Sequence, residues 1–163
     1  MKSTLIALFV LIGTFSFAQS EAYMKMLEKY YNDFPTISCS QAARKIGNNE
    51  VVFLDTREKK EFQVSHIQGA KCVGYDNFSM NSVKNVDKDA EIIVYCSIGA
   101  RSQNIGEKLV KAGYTNVKNM YGGLFLWSNT GLPKTDSNGK RTDKIHGYSS
   151  DWGKWITKGK VVY

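Results

Sequence analysis

The chain has no second long apolar stretch, no arginine-rich stripe, no internal repeat and no low-complexity tract. The missing apolar stretch leaves nothing beyond the N-terminus to cross a bilayer. Without a basic stripe or an aromatic-basic repeat, the formal charge of +7 has no nucleic-acid footprint. The lysines and arginines are scattered, with local enrichment at Lys154, Lys158 and Lys160, so the charge describes a solvated surface that favours small anions. Cysteine is scarce and odd in number: Cys39, Cys72 and Cys96 leave at least one thiol unpaired.

What is there begins with MKSTLIALFVLIGTFSFAQS. Lys2 is a basic flank, Leu5 to Ile12 is an apolar run too short to span a membrane, and Ser16-Phe17-Ala18 suits a small-x-small cleavage site. Polar Gln19-Ser20-Glu21 follows at once, and no cysteine stands there to carry a lipid. Residues 1–18 are therefore expected to be a bacterial Sec-type signal peptide, with a periplasmic or secreted product that leaves the membrane after cleavage. About 145 residues then remain, enough for one domain with a real core, at a charge of +6 once Lys2 is gone. Export exposes thiols to oxidation, so an unpaired one is either deeply buried or needed.

Residues 19–36 read as an N-terminal helical segment, with Tyr23, Met26, Leu27, Tyr30 and Tyr31 at roughly helical spacing. Ser38 to Gln41 has the form of a capping box opening a helix to Ile46. Val51 to Leu54, ending at Asp55, reads as a buried strand, Glu58 to Ser65 as a short helix and Lys71 to Gly74 as a third strand. Asn77 to Val86 has weak helical spacing. Glu91 to Tyr95 is the central strand, Arg101 to Ala112 a helix stopped by Gly113, and Asn116 to Met120 another strand. Gly122-Gly123 and Leu124 to Trp127 open a last short helix. Short strands alternating with helices predict an α/β domain of three layers with a mostly parallel sheet flanked by helices, over residues 37–133. Residues 134–144 read as a polar loop, and 134–163 as an extension whose aromatic tail (Tyr148, Trp152, Trp155, Tyr163) packs back on the domain.

In such sheets ligands bind beyond the carboxyl ends of the strands. Asp55 and Cys96 each stand at such an end, and Cys96 also stands just before a helix. Backbone N–H groups at that junction, with the positive end of the helix dipole, form an anion site. A thiol held there is drawn toward thiolate, the nucleophilic form. Gly99 allows a tight backbone, and Arg101 adds a charge and a donor fork suited to an oxyanion. No histidine adjoins Cys96, so activation by a sequence-adjacent base is not visible.

The run Cys96-Ser97-Ile98-Gly99-Ala100-Arg101-Ser102 resembles the active-site loop of the rhodanese-type sulfurtransferases. Asp55-Thr56-Arg57, Glu61-Phe62 and His66-Ile67-Gln68-Gly69-Ala70 resemble that family's upstream motif, and Ala112-Gly113-Tyr114 with Tyr121-Gly122-Gly123 through Trp127 resembles its closing pattern. Ser65 and Gln68 depart from the family's usual glycine and proline. Ser97-Ile98 lacks a further basic residue that some thiosulfate-using members carry.

The resemblance implies that Cys96 carries sulfur as a persulfide, taken from a small anionic donor such as thiosulfate and passed to a thiol or cyanide-like acceptor, or to a protein. Ser97, Ile98, Gly99, Ala100, Arg101 and Ser102 would bind the substrate, with Arg101 on the donor's sulfonate. Asp55, Arg57 and Glu61 would form a supporting network, His66 would be a corner histidine, and the protein would act as a monomer without metal or cofactor. One alternative is a relay or partner-binding module without soluble-substrate turnover. A cysteine phosphatase or arsenate reductase needs a C-x5-R loop, and here four residues separate Cys96 from Arg101. A thiol-redox role, with Cys72 resolving Cys96, is a further alternative; Cys39 reads as core filler.

Overall fold

A computed structural model describes residues 21–163. The expected signal peptide lies outside them. Residues 31–163 form one compact unit. Residues 21–30 belong to another: residues 21–27 are helical, and Glu28–Tyr30 is a 3-10 turn.

The 31–163 unit is built on a five-stranded sheet in the order β1-β5-β4-β2-β3, where β1 is Thr36–Ile37, β2 Val51–Asp55, β3 Lys71–Cys72, β4 Glu91–Tyr95 and β5 Val117–Met120. Every pairing in it is parallel. Strands β2 and β4 hold the centre, in the register Val51 against Glu91 through Asp55 against Tyr95. They are apolar at nearly every position because a parallel sheet is covered on both faces. One face buries Leu54, Ile92, Val94 and Val117 against Ile105, Leu109 and Tyr114. With a period of two, Phe53, Ile93 and Tyr95 point to the other face, and all three are buried.

The helices begin where local chemistry allows. Helix α1, Cys39–Ala43, opens on a complete capping box between Ser38 and Gln41, and it ends earlier than Ile46. Helix α2, Lys59–Val64, opens on a second box, Glu58 with Glu61. Helix α3, Ala100–Lys111, begins one residue before the predicted start, and α4 is Gly123–Asn129. Helix α1 packs on α4. The segment around residue 80 forms only a 3-10 turn, Met80–Val83.

Strand β1 was not expected. It lies at the sheet edge, where Asn119 N–H donates to Pro35 O at 2.8 Å, so the domain begins with a strand where a helical segment was predicted. Strand β3 is shorter than predicted because only Lys71 and Cys72 pair with β2.

The segment 134–144, expected as a loop, carries an antiparallel hairpin of β6, Lys134–Thr135, and β7, Arg141–Thr142. Thr135 also exchanges both backbone hydrogen bonds with His66 at 2.9 Å. Beyond it, β8, Lys144–His146, pairs in parallel with β9, Lys160–Val162, across the short helix α5, Ser150–Gly153. The tail is stitched to α4: Ser128 Oγ donates to Lys158 O at 2.6 Å, and Asn129 Nδ2 donates to Trp155 O at 2.8 Å.

Candidate active site

The register of β2 against β4 puts Asp55 beside Tyr95 and sends both chains out of the sheet at the same end. Cys96 is the next residue and is 1% exposed. After three intervening residues the chain enters α3, so the N-terminus of a twelve-residue helix follows the strand end closely. Gly99 makes that turn possible. Its φ is +105°, and a Cβ there would run into the Tyr31 phenol. Its N–H donates to Cys96 Sγ at 3.1 Å. The N–H groups of the first helical turn, Ala100 to Ser102, have no acceptor within their own helix by geometry. A sulfur anion on Cys96 therefore faces backbone donors and the positive end of a helix dipole.

The loop's shape is held from every side. Tyr31 Oη donates to Ile98 O at 2.7 Å and accepts from Gly122 N–H at 2.7 Å. Ser102 Oγ donates to Asn119 Oδ1 at 2.7 Å, and Asn119 Nδ2 donates to Gly99 O at 2.9 Å. Leu124 and Phe125, at the start of α4, donate to Cys96 O at 2.8 Å and Ser97 O at 3.0 Å. That helix comes so close that a Cβ on Gly123 would lie 2.5 Å from Cys96 O and 2.7 Å from Ile98 N.

Glu61 connects α2 to this loop. Its Oε2 accepts from Arg101 Nη1 at 2.8 Å and from Glu58 N–H at 3.0 Å; its Oε1 accepts from Arg101 Nη2 at 2.8 Å and Ser97 Oγ at 3.3 Å. Burial alone would raise its pKa. The Arg101 hydrogen bonds and charge, helped by Arg57 and the Glu58 N–H, outweigh burial and hold the carboxyl below its usual range. Arg101 is pushed upward in turn: burial disfavours its charge, but the Glu61 hydrogen bonds and the Cys96 and Glu61 charges win. Its fork is thus engaged by protein. Arg101 thereby clamps the loop through Glu61 and Ser97.

Asp55 and Arg57 form a second pair. Arg57 donates through Nη2 at 2.6 Å and Nε at 3.0 Å to Asp55, and through Nη2 to Ser65 O at 2.7 Å. Both side chains are fully buried, which fixes the turn leading to α2 and so to Glu61. His66 stands apart from that network. It stacks on Phe62 at 3.7 Å, its Nδ1 lies 2.9 Å from Phe62 O, and its backbone holds Thr135.

Sequence reasoning missed Tyr31 and Asn119. Asn119 left one signal, a polar residue inside a strand; it is fully buried there. Tyr31 left none, because only the tertiary fold brings it to the loop.

The other thiols are poorly suited to chemistry. Burial pushes Cys39 up to about 12, and its Sγ points at Tyr121 O, 3.4 Å away. Cys72 is also raised, by burial and the Asp55 charge. It sits on β3, separated from β4 by β2, so two strand spacings of about 4.8 Å hold it roughly 10 Å from the active strand. A disulfide needs Cα atoms closer than about 7 Å, so Cys72 does not reach Cys96 in this fold. Among the described residues, no group of three His, Cys, Asp or Glu side chains converges as a metal site.

Comparison with known proteins follows the same outline. The profile of the rhodanese-like domain matches residues 38–130. A thiosulfate sulfurtransferase GlpE of Ectopseudomonas mendocina is 33% identical over 100 residues, covering 61% of this chain and 89% of that one. The adenylyltransferase and sulfurtransferase UBA4 of Meyerozyma guilliermondii is 33% identical over 90 residues, 50% of this chain but 21% of its own length. The rhodanese-like domain of the Alr3790 protein from Anabaena, a solution structure, superposes with a TM-score of 0.57 at 22% identity, covering 63% of this chain and 79% of that one.

Proposed function

Because the chain belongs to the rhodanese-like family, whose profile spans more than half of it, we propose that it moves sulfane sulfur through a persulfide on Cys96. The observation that carries this reading is the Cys96 sulfur itself, buried at the mouth of α3 with the Gly99 N–H on it at 3.1 Å. A donor of the thiosulfate type presents a terminal sulfur to the thiolate. A new S–S bond forms to Cys96, the donor's own S–S bond breaks, and its electron pair leaves with sulfite. The charge on the new terminal sulfur is held by the loop amides, an electrostatic stabilisation that needs no base. A nucleophilic acceptor, cyanide or a thiolate, then attacks that sulfur and restores the Cys96 thiolate.

Loop size supports sulfur over phosphate. Four residues between Cys96 and Arg101 curl the amides toward one atom, and the arginine is already held by Glu61. Phosphatase chemistry asks for a wider loop and a free arginine fork. Residues 1–18 complete the proposal as a signal peptide, which would deliver the domain to the periplasm or the medium.

The test is an assay of thiocyanate formation from thiosulfate and cyanide, beside hydrolysis of a generic phosphoester. We expect thiocyanate from the wild-type chain, none above background from Cys96→Ser, and no phosphoester hydrolysis. Phosphoester turnover without thiocyanate would overturn the reading.

A further inference from the structure

Residue Tyr148 lies beyond the segment that the rhodanese-like profile matches, which ends at residue 130. Even so, it reaches the active-site loop. Its ring lies over the Arg101 guanidinium, 5.1 Å from Cζ to the ring centroid, and the side chain stays 54% exposed.

Among the described residues it is the only non-glycine residue with a positive φ, +65°. A bulky side chain keeps that conformation only where its surroundings impose it, and such outliers collect at functional sites. The surroundings here are specific. The Tyr148 N–H donates to His146 Nδ1 at 2.9 Å. His146 is buried on β8, in register with Val162 of β9. Gly147 is pressed against the end of the chain: a Cβ there would lie 2.7 Å from the Tyr163 ring and from Val161. The whole β8–β9 extension thus acts as a bracket that holds one aromatic ring against one arginine.

Most of that arginine's donors are already taken. Both terminal nitrogens are engaged by Glu61, and Nη2 also by Ser97. An incoming oxyanion would have to use the remaining in-plane donors, Nε–H and the second Nη1–H, and the Tyr148 ring turns its electron-rich face toward that guanidinium. The side chain of Arg101 is 18% exposed in this arrangement.

We infer that Tyr148 is a specificity-determining residue: it disfavours small oxyanionic donors at Arg101 and so shifts Cys96 toward donors that carry sulfane sulfur on an organic thiol. The inference rests on the sulfurtransferase reading above. With such a donor, R–S–SH, the Cys96 thiolate bonds to the outer sulfur. The inner S–S bond breaks, and R–S⁻ leaves and takes the proton, giving R–SH and a Cys96 persulfide anion. No arginine is needed for a leaving group that is a neutral thiol once protonated. Thiosulfate, by contrast, must release doubly charged sulfite next to an arginine most of whose donors are already taken.

The test is steady-state kinetics of the full chain with cyanide as acceptor and two donors, thiosulfate and glutathione persulfide. Tyr148→Ala removes the ring, and Tyr148→Gly removes it while also suiting the positive φ, so a fold defect in the first does not protect the idea. Both variants are expected to lower the KM for thiosulfate about two- to fivefold, the equivalent of ~0.5–1 kcal/mol of cation–π contact, and to leave the KM for glutathione persulfide unchanged or raised. Tyr148→Phe keeps the ring and is expected to keep the high thiosulfate KM. An unchanged or higher thiosulfate KM in both ring-deleted variants would overturn the inference alone. If the wild-type chain moves sulfur from neither donor, the sulfurtransferase reading fails and takes this inference with it.

Discussion

Glu61 is the residue on which the site's geometry turns. One carboxylate receives two nitrogens of Arg101, the Ser97 hydroxyl and the Glu58 N–H. It joins the Cys96 loop to α2 and completes the helix cap at the same time. Glu61→Gln keeps the size but replaces an acceptor-only group with one that must also donate. The charge-assisted bonds to Arg101 weaken, and an arginine that is mostly buried loses its counter-charge. We expect unfolding free energy to fall by about 2 kcal/mol, measured by urea titration. Thiocyanate formation should fall with it, because Arg101 then swings free of the loop it clamps. A variant as stable and active as wild type would mean that the pair is ornamental.

Helix α4 meets the loop with backbone against backbone, and one glycine decides whether it can. Gly123 has φ +55°, and a Cβ on it would lie 2.5 Å from Cys96 O, an atom that cannot step aside without moving the cysteine. Gly123→Ala should therefore lower kcat/KM roughly ten- to a hundredfold, the scale of a displacement of about 1 Å at a reacting centre. Overpacking of this kind should also cost about 1–3 kcal/mol in stability. Equal kcat/KM for the two proteins would show that the loop tolerates displacement. Gly122-Gly123 was legible in the sequence as the opening of α4, as were β2, β4, the Ser38 capping box and the α3 start within one residue. All of these are written in local chemistry: apolar runs, capping side chains, a glycine pair. Strand β1 and the β6–β7 hairpin were not legible, because two-residue strands carry no periodicity and form only where a neighbour supplies the partner. Tyr31, Asn119 and the reach of Tyr148 were hidden for the same reason. Their roles depend on which distant segment folds over the loop.

Two groups near the loop help make the stability of the molecule depend on pH. Burial is the main cause that holds His146 below its ordinary value of 6.5, the Glu61 charge opposing it and the Lys60, Arg57 and Arg101 charges assisting. The neutral ring is thus the native form. As pH falls through 6.5 the unfolded chain takes up a proton before the folded one does, so the stabilisation present above that value is lost on the acid side. Glu61 adds a second loss at lower pH: its folded carboxyl titrates below the ordinary 4.5, so its stabilisation is full above that value and disappears as pH falls through the folded one. Urea midpoints measured from about pH 8 down to about pH 5 should therefore decline, and His146→Gln should flatten that decline. A midpoint that rises toward acid pH would contradict the assignment.

The fold and the loop converge on one atom, the Cys96 sulfur, and the extension reaches Arg101 beside it. Intact mass spectrometry of the full chain after exposure to thiosulfate, and then to cyanide, tests that convergence most directly. The account predicts one added sulfur atom, mapped to the peptide holding Cys96, absent from Cys96→Ser and discharged by cyanide as thiocyanate. An added sulfur that survives in Cys96→Ser, or no added sulfur from any sulfane donor, would contradict it.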